Sequence, residues 1–511
     1  MKRQLPSRPN LDQLKHQARD LLNAHRAGDE ETLRRIRENH PRFARLAEAD
    51  VRSVRFTLSS AQLVLAREYG FTSWTQLKDY VEKVKSQTSD PLEELKQAFR
   101  SDQAAVVEQI LKRHPELKAR INEPIGPFDC PAIVNARSPE MLDVLLAAGA
   151  DLNAKSSWWA GGFGLLHWAS PGLAAYAIRR GALVDIHAAA RLGMLDRVKE
   201  WIASDPKLVN ARGGDGQTPL HFASTIDIAA YLLDQGADID ARDVDHESTP
   251  AQYMIDDRQD VARYLIQRGC KTDILMAAAL GDIDLVRRHL DADPTSIRMR
   301  VSEEFFPMVS LKSGGTIYQW KLGWYLSPHR VARKFGHDEV YKLLMDRSPD
   351  EVKLIEACWL NDEATLQALG ADRPSLARRL SAGDQRQVAH AARNNETAVV
   401  RAMLKAGLPV DARSQHNATV LHWAAFHGNC EMVNAILPFG PPLEATDNDF
   451  NGTPLGWAIY GSENGWSSQT GDYAGTVEVL IRAGARLPEQ LGGTDAVREV
   501  LRRHGMKEES I

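Results

Sequence analysis

Cysteine is scarce in this 511-residue chain: Cys130, Cys270, Cys358 and Cys430 lie far apart and form no C-x-x-C pair. That spacing excludes a disulfide-built scaffold and a paired-thiol redox or zinc motif, and it predicts reduced, mostly buried thiols. Apolar runs are short, none approaching the ~18 residues that a membrane span requires. The opening "MKRQLPSRPNLDQLKHQ" carries positive charge but no apolar stretch, so no secretory signal is read there. Net charge is small, -5 from 63 Lys/Arg against 68 Asp/Glu, which removes any overall attraction to nucleic acid or anionic membranes. The sequence holds no H-E-x-x-H, zinc-type Cys/His spacing, P-loop or dinucleotide glycine pattern, so neither cofactor nor metal is expected. These absences predict a protein of the cytoplasm, with no nucleic-acid or membrane partner.

What is present is a globular composition, 43% hydrophobic and 26% charged. Residues 1–85 are locally basic, with 17 Lys/Arg against 11 Asp/Glu, an excess too diffuse for a nucleic-acid footprint. The strongest signal is internal repetition. "GDGQTPLHFASTIDIAAYLLDQGADIDARD" begins at 214, "VDHESTPAQYMIDDRQDVARYLIQRGCKTD" at 244 and "HNATVLHWAAFHGNCEMVNAILPFGPPLEATD" at 416. Gly236 and Gly269 are 33 residues apart, and Thr419 and Thr453 are 34 apart. A sustained period of this length predicts a one-dimensional stack of small units.

Each unit reads as a turn followed by two antiparallel helices. Thr218, Thr249, Thr419 and Thr453 are cap candidates, and Pro219, Pro250 and Pro454 sit at the next position, where a missing N–H costs nothing. Ala223, Ala424 and Ala425 keep the first helix slim, while Ile228, Tyr231 and Leu232, or Val433, Ile436 and Leu437, give the second a 3.6-residue apolar stripe. Gly236, Gly269 and Gly440 end it. Neither helix is long enough to stand alone, so neighbours must share apolar faces.

This pattern resembles the ankyrin repeat, through "TPLHFA" at 218–223, "LLAAGADLNA" at 145–154, "LLDQGADIDA" at 232–241, "VLHWAA" at 420–425 and "TPLGWA" at 453–458. Recognisable copies extend over about 130–487. The resemblance implies an all-α fold, an ankyrin-repeat α-solenoid with a helical amino-terminal region and a carboxyl-terminal cap. The expected organisation is a divergent helical cap region over 1–90, a solenoid over 91–487 with insertions near 296–320 and 461–475, and a cap and tail over 488–511. "SQTSDP", 86–91, is the candidate linker. Before it, "LSSAQLVLAREYGFTSWTQLKDYVEKV", 58–84, shows a cap at Ser59 or Ser60, a break at Gly70 and a second amphipathic helix.

The resemblance implies that His167, His221 and His422, all at the H of L-H-x-A, are structural and bond to backbone near the inter-repeat turn. The tryptophans are less readily absorbed. Trp168, Trp423 and Trp457 follow that position, and in the family it lies toward the concave side; Trp324, Trp466 and Tyr473 sit in units with enlarged turns. They serve either as core filler or as a stacking platform for an aromatic peptide anchor or a sugar. Acids cluster at the turns: Asp245 and Glu247 with His246 in "DVDHEST", Asp447 and Asp449 in "DNDFNGT", and Glu463 and Asp472 in the last insertion. One acid per turn fits local Asx bonding, whereas several invite general acid/base chemistry.

Two functions follow. The first is a binding protein that takes a protein or peptide on an aromatic and acidic concave surface. The second is a small-molecule, possibly carbohydrate, receptor or enzyme of hydrolase or isomerase type. Its ligand-binding residues would be Trp168, Trp324, Trp423, Trp457, Trp466, Tyr473 and His246, and its catalytic candidates Asp245, Glu247, Asp447, Asp449, Glu463 and Asp472.

Overall fold

The computed structural model describes residues 3, 5, 6, 9–87 and 90–506. Thr88 and Ser89, in the middle of the candidate linker, and 507–511 of the tail lie outside the described residues. Every named element is an α- or 3-10 helix. Among the described residues the β geometry is limited to two isolated bridges, Lys155 with Gly164 and Arg413 with Thr419, each closing a turn tip. The chain is an all-α helical solenoid that divides into two compact units, Met1–Thr88 with Pro349–Ile511, and Ser89–Ser348.

The middle unit stacks short helix pairs. Ile186–Arg191 pairs with Leu195–Ser204, Pro219–Phe222 with Ile226–Asp234, Pro250–Tyr253 with Gln259–Gln267, Ile274–Leu280 with Ile283–Ala292, and Pro328–Lys334 with Asp338–Arg347. Leu220, Ile228, Leu232, Leu265, Leu275 and Val286 all fall in one continuous core, as expected where no pair buries its apolar face alone. The positional rules of the repeat are visible atom by atom. His221 Nδ1 accepts the Thr218 N–H at 3.1 Å, and its Nε2–H donates to Ser248 O at 3.1 Å in the next unit. His422 repeats both bonds, to Thr419 at 3.2 Å and Gly452 at 3.1 Å. The imidazole is therefore a strut that caps its own helix and fixes the following turn. Gly236 and Gly269 end their helices at φ +92° and +90°, a conformation that costs side-chain-bearing residues.

Two repeats of this unit lack a projecting turn. Asp185 and Asp273 cap their inner helices directly, accepting from Ala188 N at 2.9 Å and Met276 N at 2.8 Å, within a few residues of the preceding outer helix. Longer connections elsewhere, 156–163 and 299–327, reach across from neighbouring repeats.

The other unit joins the two ends of the chain. At the amino end, Leu11–Ala27, Glu30–Asn39, Glu48–Ser53, Leu58–Glu68 and Trp74–Gln87 enclose a separate core of Leu14, Leu21, Leu22, Ile36, Phe43, Phe56 and Leu65. Thr57, rather than either serine, caps Leu58–Glu68, accepting the Ser60 N–H at 3.2 Å. The later repeats pair Gln387–Arg393 with Thr397–Lys405, Val420–Phe426 with Cys430–Ile436, and Pro454–Asn464 with Tyr473–Arg482. Asp495–Arg503 closes the stack, burying Val497, Val500 and Leu501.

The amino-terminal helices lie against the last repeats through polar contacts. Arg26 donates to Asn448 O at 2.8 Å, Asn451 donates to Phe56 O at 3.1 Å, and the Arg19 guanidinium lies 5.3 Å from the Phe450 ring centre. Glu489 pairs with Arg42 and accepts Ser60 Oγ–H at 2.8 Å, and Lys78 pairs with Glu463 at 3.2 Å. The basic excess of residues 1–85 thus meets glutamates contributed by the carboxyl end.

Candidate functional site

The turn tips are built by a buried aspartate. Asp447 Oδ1 accepts the N–H groups of Asp449 at 2.9 Å and Phe450 at 2.6 Å, and its Oδ2 accepts Gly452 N–H at 2.8 Å and Trp457 Nε1–H at 2.9 Å. Asp243 does the same work, accepting Ser248 N–H at 2.7 Å, His246 N–H at 2.7 Å and Tyr253 O–H at 3.0 Å. Trp423 reaches its own tip through Ser414, Nε1–H to Oγ at 2.8 Å. An aromatic residue four positions after the cap threonine therefore pins the turn in front of its helix. Asp447 and Trp457 have spent their hydrogen-bonding capacity on that task.

Three of the expected binding aromatics come together in the unit formed by the chain ends. Trp423 and Trp457 meet edge to face at 5.1 Å, and Trp466, from the 461–475 insertion, stacks on Trp423 at 5.8 Å and 20°. Trp423 is 2% exposed and Trp466 62%, so only the outer ring faces solvent. The Arg393 guanidinium lies 5.5 Å from the Trp423 ring and 5.2 Å from Trp466, a cation–π contact that no sequence motif marks. Tyr473 is buried and donates O–H to Phe426 O at 2.8 Å, and burial pushes its phenol up to about 12. The acids nearby are engaged: Asp449 pairs with His416, Glu463 with Lys78, and Asp472 caps the following helix by accepting Gly475 N–H at 2.8 Å.

The remaining site residues belong to the middle unit. Trp168 is half-exposed against Phe163, 4.4 Å between ring centres, and Trp324 packs beside Tyr325 at 5.8 Å. Asp245, Glu247 and His246 meet at one tip together with Asp215 from the tip before it. Asp245 Oδ2 accepts Trp158 Nε1–H at 3.2 Å, and its Oδ1 accepts Gly314 N–H at 3.0 Å. Glu247 accepts the N–H groups of Val309 at 2.8 Å and Ser310 at 2.7 Å. His246 Nδ1–H donates to Gly315 O at 2.9 Å. The 296–320 insertion is therefore clamped onto this tip by all three residues. Burial, then the charges of Asp245 and Asp243, push the half-buried Asp215 carboxyl up to about 7. Asp215 was legible only as one acid in "GDGQT"; its neighbours come from the next turn.

These tips form a continuous ladder. Ser157 N–H donates to Asp129 O at 3.0 Å, Val244 N–H to Asp215 O at 2.8 Å, and Gly314 N–H to Asp245 O at 2.9 Å. Phe128 and Trp158 meet edge to face at 5.4 Å.

A family model described as Ankyrin repeats (3 copies) matches residues 186–276 and 388–486, the stretches in which the cap, strut and glycine pattern is most regular. Over these stretches the chain is built of ankyrin repeats. It is similar to the E3 ubiquitin-protein ligase XB3 of Oryza sativa subsp. japonica, 40% identical over 92 residues that make up 18% of this chain and 20% of that protein. Ankyrin repeat and SAM domain-containing protein 6 of Mus musculus is 30% identical over 122 residues, 23% of this chain and 14% of the relative. Palmitoyltransferase Hip14 of Drosophila melanogaster is 30% identical over 86 residues, 17% and 12% respectively. The chain thus spans a fifth or less of the length of these curated relatives.

Along the tips of the middle ankyrin repeats, large apolar groups face solvent. Phe128 and Trp159 stand at one end, and Val309, Leu311 and Trp320 on the insertion at the other, with Leu311 100% and Trp320 73% exposed. The acidic tip lies between them. No helix among the described residues is long and apolar enough to cross a membrane.

Proposed function

We propose that this chain is a protein-binding scaffold whose middle ankyrin repeats receive a peptide or protein segment along their turn tips. The observation that carries the reading is the exposed apolar row from Phe128 and Trp159 to Leu311 and Trp320, flanking the acidic tip of Asp215 and Asp245. Exposed apolar groups held on a hydrogen-bonded ladder are what a partner buries, and acids between them add selectivity for basic segments. The relatives' names support this reading: a ubiquitin ligase and a palmitoyltransferase differ in chemistry, so the part they share with this chain suits recognition better than catalysis. The thiols suit a reducing compartment such as the cytoplasm: Cys130, Cys270 and Cys358 are free and buried, and burial pushes Cys270 and Cys358 up to about 12.

A second reading, carbohydrate binding with acid/base chemistry, has one observation in its favour. Asp215 carries a near-neutral proton affinity beside the Trp158 indole, the pairing that general acid catalysis on a polyhydroxylated ring uses.

Selection of displayed peptides on the full chain distinguishes the two. Enriched peptides are expected to bind at least tenfold more weakly after Trp159→Ser, Leu311→Ser and Trp320→Ser combined, with melting temperature unchanged because all three are surface groups. Equal binding by the triple variant refutes the scaffold reading. A glycan that raises the melting temperature of the chain but not of Asp215→Asn favours the second.

A further inference from the structure

We propose that Asp215, Asp245 and His246 bind a divalent transition-metal cation of the zinc or manganese class, held between the tips of two neighbouring repeats. The three side chains offer one donor atom each, and these atoms all lie within 4.8 Å of one another. Neither metal-motif spacing nor histidine clustering announces the set, because Asp215 sits on a separate turn 30 residues before the adjacent Asp245 and His246.

The orientation of His246 points to a cation independently of the acids. Its Nδ1 faces the Gly315 carbonyl at 2.9 Å, an acceptor, so Nδ1 carries the proton and the lone pair is on Nε2. Nε2 then faces Asp245 Oδ2 at 4.0 Å. In that tautomer the Nε2 lone pair faces a carboxylate oxygen, which also accepts Trp158 Nε1–H, across a largely buried gap, and a cation between them turns their repulsion into coordination. A histidine whose far nitrogen donates to a backbone carbonyl is also the arrangement that holds metal-ligating imidazoles.

The rest of the cluster is positioned rather than free to wander. Asp245 is held by Trp158 Nε1–H on one oxygen and Gly314 N–H on the other. His246 is held through its own N–H, which Asp243 accepts at 2.7 Å. Gly314 packs so closely that a Cβ there would stand 3.2 Å from His246 Cε1 and 3.4 Å from Asp245 Oδ1. Among the described residues no lysine or arginine pairs with Asp215 or Asp245; the basic group beside Asp245 is His246 itself. The Asp243 carboxylate adds a further negative charge while its oxygens stay committed to the turn.

Size and donor type select the class of ion. Donors ~2.1 Å from a shared tetrahedral or octahedral ion sit roughly 3.0–3.4 Å apart when adjacent, so the Nε2 and Oδ2 donors, and Asp215 with them, close on the ion by small side-chain rotations. One imidazole and two carboxylates suit borderline ions such as zinc or manganese better than calcium, which takes oxygen donors alone. Asp215 is half-buried, leaving a side open for water or a partner's donor group.

The test uses the full chain, stripped with chelator and titrated with zinc chloride or manganese chloride by calorimetry. One equivalent is expected, weakened at least tenfold in both Asp215→Asn and His246→Gln and unchanged in Asp449→Asn, whose carboxylate pairs with His416 elsewhere. Cobalt(II) on the unmodified chain provides a readout that needs no variant: nitrogen and oxygen ligands give weak visible bands without a thiolate charge-transfer band. Absence of binding, equal affinity in the two site variants, or a thiolate band assigning the ion to cysteine would each overturn the proposal.

Discussion

Mild acid is expected to destabilise the carboxyl-terminal repeats through a histidine, well before most carboxylates are protonated. His422 is fully buried, accepts Thr419 N–H on Nδ1 and donates to Gly452 O from Nε2. A second proton would go on Nδ1 and face an N–H group, and burial accordingly pushes this imidazole down to about 4. The folded value lies below the ordinary ~6.5, so the neutral ring's contribution is complete above that pH and is lost as pH falls toward 4. Linkage over that window amounts to about 2 kcal/mol by pH 5 and about 3 kcal/mol by pH 4. The same chain contains the natural control. Gln252 occupies the equivalent position three residues after Thr249 and accepts its N–H at 2.9 Å without being able to titrate. Urea unfolding of wild type and His422→Gln, followed by tryptophan fluorescence, should show that the variant loses about 2 kcal/mol less than wild type between pH 7.5 and 5. Equal losses would refute the assignment of the strut as a buried neutral imidazole.

Trp457→Phe keeps most of the ring contacts but removes the N–H that Asp447 accepts at 2.9 Å; a cost of about 1–3 kcal/mol in urea unfolding is expected, because a charged buried acceptor loses a partner. Glu489→Lys puts a cation opposite Arg42 and His40, and should lower stability by about 1–3 kcal/mol at low salt, with the deficit shrinking as ionic strength rises. A salt-independent deficit would show that the polar contact between the amino-terminal helices and the last repeats is not electrostatic.

Much of this architecture was legible because the repeat's rules are local. The cap threonine, the proline after it, the strut histidine and the ending glycine act within one unit, and each appears where its sequence spacing put it, as at Thr218, His221 and Gly236. The candidate site was legible only in composition. Glu463 looked like a catalytic acid in the last insertion, yet it pairs with Lys78, 385 positions earlier, and nothing local signals such a partner. Asp472 looked like chemistry and is a helix cap, a role that a following glycine-containing turn does not advertise. Trp466, carried on the 461–475 insertion, reaches Arg393, 73 positions earlier and two repeats back, and nothing local signals that contact.

The order of the chain by itself determined that helix pairs would form and stack, since capping, periodicity and helix termination are settled among residues a few positions apart. Which turn tips meet was decided only in three dimensions. Asp185 and Asp273 start their helices with no projecting turn, so Trp158 can reach Asp245, 87 residues on, and Gly314 can return to it from 69 residues beyond. Tips carry few local constraints of their own. Their partners are set by the space that neighbouring repeats leave, which no window of sequence contains.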